Sequence, residues 1–262
     1  MIGMFDSGLG GLSVWRQLVR ALPHESVLYL ADQGYCPYGG RSQAEIIARS
    51  EVITDYLLAQ GTTLLLIACN TATSAAVRHL RAKHPALPIV GMEPAIKPAV
   101  QATQSGRVGV LATRATLAGS KFRELAEQFR EHAQIVSQPG DGFVELVESG
   151  DLASQQARDT VGHALAPLLA AGVDHVVLGC THYPFLAPLL RELLPAHIDL
   201  IDPSDAVVRQ TARLLDQHQL AAPADAVAQY RFASTGDTAS MQTFMQQILG
   251  RSDVVEYLPL PG

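Results

Sequence analysis

The stretch His175-Val176-Val177-Leu178-Gly179-Cys180-Thr181-His182-Tyr183-Pro184 decides how this chain is read. Its apolar run has the composition of a buried parallel strand, and the turn after it opens a helix. In open α/β sheets, that turn at the carboxyl end of a strand is where ligands bind. A second stretch has the same grammar: Leu64-Leu65-Leu66-Ile67-Ala68, then Cys69-Asn70-Thr71-Ala72-Thr73. Two strands therefore each end in a thiol, followed by a small polar residue where a helix would begin.

A cysteine at a helix N-terminus has its thiolate favoured by the helix dipole, which lowers a pKa of roughly 8.5 toward neutrality. Two thiols on opposite sides of one carbon could remove a proton from one face and return one to the other. That is racemisation. If reacting atoms approach to about 3 to 3.5 Å, the two sulfurs are expected roughly 6 to 7 Å apart.

The 262 residues suffice for two compact lobes, and 48% hydrophobic with 17% charged residues places the chain among ordinary globular proteins. A net charge of −6 without a basic block argues against a nucleic-acid partner. The N-terminal Met1-Ile2-Gly3-Met4-Phe5-Asp6 reads as a strand, not a leader, and no apolar run is long enough for a membrane span, so a cytoplasmic protein is expected. Three cysteines without a pairing pattern fit reduced thiols, and no spacing offers a metal site, so neither metal nor cofactor is expected.

In chain order, residues 2–5 are a strand, and Asp6-Ser7-Gly8-Leu9-Gly10-Gly11 is a glycine-rich turn whose amides can face an anion. A strand at 27–31 ends in Asp32, and residues 33–41, with Tyr35-Cys36-Pro37-Tyr38-Gly39-Gly40, are too rich in Pro and Gly for a helix and read as a lid. A helix over 43–59, the Cys69 strand, its helix, and a strand at 89–92 followed by Glu93-Pro94 complete four β-α units.

The pattern then restarts. A strand over 107–112 runs into Thr113 and Thr116, a helix spans 119–131, a strand covers 134–138, helices lie near 143–148 and 154–171, and the Cys180 strand follows. Residues 198–202, before Pro203, echo the fourth strand. Aligning Cys69 with Cys180 brings these neighbours into register. The expected fold is α/β, with two pseudo-symmetric doubly wound parallel-sheet domains and an active site in the cleft between them. The tail, with a helix to 217, strands at 230–234 and 254–258 and a helix to 249, is expected to return to the first half. The first domain then comprises 1–93 and 205–262, and the second 94–204.

Four motifs carry a resemblance: Phe5-Asp6-Ser7-Gly8-x-Gly10-Gly11, Ala31-Asp32 with Pro37-Tyr38-Gly39, Ala68-Cys69-Asn70-Thr71-Ala72, and Gly179-Cys180-Thr181-His182-Tyr183-Pro184. In this order and spacing the chain resembles the aspartate/glutamate racemase family, and its glutamate racemases in particular. The resemblance implies a cofactor-independent two-base isomerase interconverting L- and D-glutamate, the D form feeding peptidoglycan synthesis and so cell-wall biogenesis and cell shape. It implies that Cys69 takes the proton from D-glutamate and Cys180 that from L-glutamate. Asp6, His182 and Glu148 would assist catalysis, Glu148 being preferred to Glu145 for its Leu-Val-Glu setting. Asp6, Ser7, Tyr38, Gly39, Asn70, Thr71, Thr181 and His182 would surround the substrate. Thr113 and Thr116, standing where Asp6-Ser7 stand in the first half, would hold its amine or side-chain carboxylate, although capping explains them nearly as well. A homodimer is expected.

The nearest rival is an aspartate racemase or another two-cysteine relative. A cysteine hydrolase using Cys180 and His182 leaves Cys69 unexplained, and an amino-acid-binding protein would show no exchange of the α-hydrogen.

Overall fold

The computed structural model describes residues 1–260 and divides into two compact units. One comprises Met1–Met92 and the chain from Ser204 onward; the other comprises Glu93–Pro203. Glu93 thus belongs with the second unit and Ser204 with the first, each one residue across the expected boundary.

The first unit is built on six parallel strands: β1 (Ile2–Asp6), β2 (Val27–Ala31), β3 (Leu64–Ile67), β4 (Ile89–Gly91) and, from the tail, two more given below. The second holds β5 (Arg107–Ala112), β6 (Gln134–Pro139), β7 (His175–Gly179) and β8 (Asp199–Ile201). The tail strands are β9 (Tyr230–Ser234) and β10 (Val255–Tyr257). Strand order is β10-β9-β2-β1-β3-β4 in one sheet and β6-β5-β7-β8 in the other. Every pairing is parallel.

Both sheets are covered on both faces, which is why their strands read as continuous apolar runs instead of alternating ones. In the first unit Phe5, Leu28, Leu30, Leu65 and Ile67 share one face and pack with Ile46, Ile53 and Leu57 of the helix Gln43–Ala59 and Ala76, Val77 and Leu80 of the helix Asn70–Lys83. On the alternate positions Tyr29 meets Phe232, whose ring also touches Trp15 of the helix Leu12–Ala21. In the second unit Val108, Val110, Ala112 and Val177 pack with Ile96, Ala99 and Phe122. On the opposite face Gly109 leaves room for Leu168, whose methyls lie 3.2 Å and 3.3 Å from where a Cβ would stand.

The order matters for function. In β2-β1-β3-β4 the chain first steps from β1 to one side and then crosses to the other, so connections diverge between β1 and β3. In β6-β5-β7-β8 they diverge between β5 and β7. Such a switch point opens a crevice outside the carboxyl ends of the strands, and ligands of open α/β sheets bind there. Asp6 and Cys69 end or follow the two strands flanking the first switch point. Thr113 and Cys180 follow those flanking the second.

Local structure departs from expectation in four places. Residues 33–41 contain two single 3-10 turns, Gln33–Tyr35 and Tyr38–Gly40, since the short turn tolerates Gly and Pro. The helix expected over 119–131 is Ser120–Gln128, and a further short helix, Arg114–Ala118, precedes it, set apart by the extended backbone of Gly119. The helix running to 249 is α over Thr238–Phe244 and π over Met245–Leu249. After Cys180 there is no immediate α-helix: a turn leads to a 3-10 helix, Tyr183–Leu186, with Pro184 in its first turn, and only then to Ala187–Leu193.

Candidate active site

Each unit carries a nearly buried thiol at its switch point, held in its own way. In the first, Cys69 is the N-cap of the helix Asn70–Lys83, and its Sγ accepts the Ala72 N–H at 3.4 Å. Extended backbone at Cys69 turns the sulfur over the first helical turn, where free amides and the dipole favour negative charge. The thiol also donates to the Ser7 hydroxyl at 3.7 Å. Ser7 in turn donates from both Oγ, at 3.2 Å, and its amide, at 2.6 Å, to Asp6 Oδ1. Asp6 is wholly buried, and Gly11, the N-cap of the next helix, has no side chain with which to cap it. A Cβ on Gly11 would stand 2.8 Å from the Asp6 Cβ and 2.9 Å from the Tyr29 hydroxyl, so only glycine lets the helix start this close.

Beside Cys69 stands Asn70, 3% exposed, with neither its amide nitrogen nor its carbonyl oxygen hydrogen-bonded among the described residues. A buried amide left so is costly, and in native structures it marks the place of a missing partner. Thr71 is buried next to it. Tyr38 is buried in the same core cluster as Cys69, while Gly39 is half-buried. Burial, then the charge and hydrogen bond of Asp32, raise the Tyr38 pKa well above its ordinary value, so it stands as a neutral phenol.

In the second unit Cys180 has no helix amide for its sulfur. It has an imidazole: Sγ lies 3.7 Å from His182 Nδ1, and His182 Nε2 lies 2.6 Å from Glu148 Oε1. Burial opposes a charged imidazole here. The hydrogen bonds and charges of Cys180 and Glu148 outweigh it and hold the His182 pKa well above the usual value. With Nε2–H directed at a carboxylate, Nδ1 is free to exchange a proton with the sulfur. His182 occupies the N-cap position of its 3-10 helix, but its side chain caps nothing.

Glu148 reaches His182 because the helix Phe143–Glu148 is fastened to the Cys180 turn. Phe143 meets Tyr183 edge-on at 4.9 Å, and the Tyr183 hydroxyl donates to the Gly140 carbonyl at 3.2 Å. A Cβ at Gly140 would lie 2.5 Å from that hydroxyl. Glu145, on the same helix, is exposed. Thr181 is buried between the thiol and the imidazole in sequence. Thr113 caps the helix Arg114–Ala118, accepting the Thr116 amide at 3.2 Å and donating to the Thr116 hydroxyl at 3.0 Å.

Two residues escaped the sequence reading, Asp32 as a structural hub and Arg49 as its partner. The signal for Arg49 was present: a cation three residues after Ile46 and four before Ile53, in register with the apolar positions of the helix.

Comparison with known proteins gives the family and the fold. Residues 2–211 match the family model described as Asp/Glu/Hydantoin racemase. The chain belongs to that family of racemases. Within it, the chain is 51% identical over 249 residues to the glutamate racemase of Ectopseudomonas mendocina, covering 95% of this chain and 94% of that one. Among solved structures it resembles glutamate racemase isoform RacE1 from Bacillus anthracis, with TM-score 0.91 and 28% identity over 100% of this chain and 98% of that chain. It also resembles the Escherichia coli glutamate racemase solved with L-glutamate, with TM-score 0.85 and 34% identity over 100% and 99%.

Proposed function

We propose that this chain interconverts L- and D-glutamate by a two-base route, with Cys69 and Cys180 as the bases. The observation that carries the reading is the pair of buried thiols at the two switch points, each hydrogen-bonded to a group able to stabilise or exchange its proton. One thiolate takes the α-proton and the other thiol delivers one to the opposite face. The roles reverse for the other enantiomer, Cys69 acting on D-glutamate and Cys180 on L-glutamate. His182, oriented by Glu148, serves the Cys180 proton, and Asp6 through Ser7 serves that of Cys69. Asn70, with its free amide, Thr71, Tyr38, Gly39 and Thr181 contact the amino acid. Thr116, whose hydroxyl accepts from Thr113 and can itself donate through its own O–H, holds the substrate's side-chain carboxylate, with Thr113 orienting it. No cofactor is required, and the D-glutamate formed feeds peptidoglycan synthesis. Glutamate is preferred to aspartate because the similar proteins of high identity are named glutamate racemases.

Enantiomers have equal free energies, so kcat/KM must be the same in both directions for any variant, and only kcat and KM can part. The test follows both glutamate enantiomers in deuterated water. Wild type should place solvent deuterium at Cα of the inverted product, whereas Cys69→Ala and Cys180→Ala should each lose inversion by on the order of 10³-fold or more. Near-wild-type inversion by either variant overturns the two-thiol route. Absence of exchange in wild type overturns the racemase reading itself, and exchange of aspartate alone moves it to the shorter acid.

A further inference from the structure

Arg49 lies in the middle of the helix Gln43–Ala59, with its side chain 3% exposed. A charge so buried is costly unless paired with good geometry. Its partner is Asp32, fully buried at the carboxyl end of β2. Arg49 donates through Nε to Oδ2 at 2.9 Å and through Nη2 to Oδ1 at 2.7 Å, the forked pairing that a lysine cannot make. Asp32 also accepts the Tyr38 hydroxyl at 2.5 Å and the Thr235 hydroxyl at 2.7 Å. The guanidinium lies 4.2 Å from the centre of the Tyr35 ring. Three side chains therefore converge on one carboxylate, and one of them, Tyr38, packs in the cluster that contains Cys69.

We propose that Arg49 is a positioning residue for the Cys69 thiol, acting through Asp32 and Tyr38: it cancels the Asp32 charge and fixes the phenol beside the sulfur. The consequence for turnover rests on Cys69 being a catalytic base, but the coupling to the thiol does not. Without Arg49 the buried carboxylate keeps an uncompensated charge, which disfavours a thiolate nearby in a medium of low dielectric. Titratable and charged groups near the thiol in this unit include Tyr38, Asp32 and Arg49 on one side, with Tyr35 against the guanidiniums of both Arg49 and Arg41, and Asp6 through Ser7 on the other.

The experiment is iodoacetamide alkylation of Cys69 against pH, followed on its peptide by mass spectrometry, in the whole protein. The variants are Arg49→Lys, Arg49→Gln and the double variant Asp32→Asn with Arg49→Gln. Arg49→Gln should slow alkylation near neutral pH about tenfold and move its pH midpoint upward, because an unbalanced anion has been left near the sulfur. The neutral pair should return the midpoint to the wild-type position, and Arg49→Lys should fall between. A merely structural role predicts the reverse sign: loosened packing exposes the sulfur and all three variants react faster. That result overturns the proposal, as does an unchanged rate in Arg49→Gln, or a neutral pair as slow as Arg49→Gln. Should Arg49→Gln not fold, a lysine variant with a wild-type midpoint overturns it equally. Turnover of D-glutamate, run in parallel, should fall with the alkylation rate. If wild type turns over neither enantiomer, the functional reading fails while the alkylation result still stands for or against Arg49.

Discussion

The Cys69 and Cys180 turns occupy equivalent places in the matching strand orders β2-β1-β3-β4 and β6-β5-β7-β8, yet they hold a thiol by different means. At Cys69 the work is done by backbone: a regular helix begins at once, and its amide at Ala72 meets the sulfur. At Cys180 the helix is delayed by a turn and a 3-10 segment, and His182 with Glu148 takes the place of the dipole. A helix N-terminus supplies a fixed partial charge at every pH. An imidazole supplies a full charge or none, so the second thiol is coupled to a titrating group. Equivalent topology thus fixes where a nucleophile stands, while the next few residues fix how it is charged.

This contrast can be broken experimentally. On the proposed mechanism His182→Asn removes the only side chain bonded to the Cys180 sulfur in its unit and should lower kcat by about 10²-fold, the usual contribution of a positioned acid or base. Ser7→Ala leaves the Cys69 sulfur with its helix amide and should cost only about tenfold, a single hydrogen bond. Equal losses, measured by circular dichroism of glutamate, would mean that the two turns are not held differently after all.

Glu148→Gln sharpens the same contrast through pH. The folded-state pKa of His182 is raised, so its contribution to stability is complete below the unfolded value of about 6.5 and is lost as pH rises through the folded value. Removing the Glu148 charge lowers the folded value and shrinks that contribution. The excess stability below about pH 6.5 should diminish in the variant, read as Tm against pH, whereas a Ser7→Ala control should leave the shape of the curve unchanged.

The smallest effect concerns the other end of the Cys180 strand. Asp174, just before β7, accepts from Thr103 Oγ1 at 2.6 Å, from the Gln104 and Ser105 amides at 2.7 Å each, and pairs with His175 at 2.9 Å. Burial would raise its pKa, but His175, Thr103 and the two amides outweigh it and hold the carboxyl well below the usual range. Its stabilisation is therefore present above about pH 4 and is lost as pH falls. Asp174→Asn should destabilise the chain by about 2 kcal/mol at neutral pH in denaturant unfolding, with little change in kcat.

Much of the fold is legible because strands covered on both faces leave an unmistakable mark: Leu64-Leu65-Leu66-Ile67 and Val176-Val177-Leu178 are apolar at consecutive positions, and each stops at a cysteine. The positions of the thiols follow from those stops. What surrounds them does not. Glu148 and His182 are 34 residues apart, and Asp32 and Arg49 are 17 apart, so their meeting depends on how helices are fastened to sheets. The Phe143–Tyr183 contact that brings Glu148 into place has no periodicity to announce it. The delayed helix after Cys180 was likewise missed, because Thr181-His182-Tyr183-Pro184 resembles a helix start in composition and differs only in geometry.

The first unit is interrupted in sequence: β9 joins the outer side of β2, yet it is made after the whole of Glu93–Pro203. On a ribosome, the inserted unit has all four of its strands available while the earlier one still has an open margin along Val27–Ala31. Because domains tend to fold as units once their chain has emerged, the later-starting unit should be the first to finish. Until Tyr230–Ser234 arrives, that bare strand is the part of the nascent chain most exposed to mispairing.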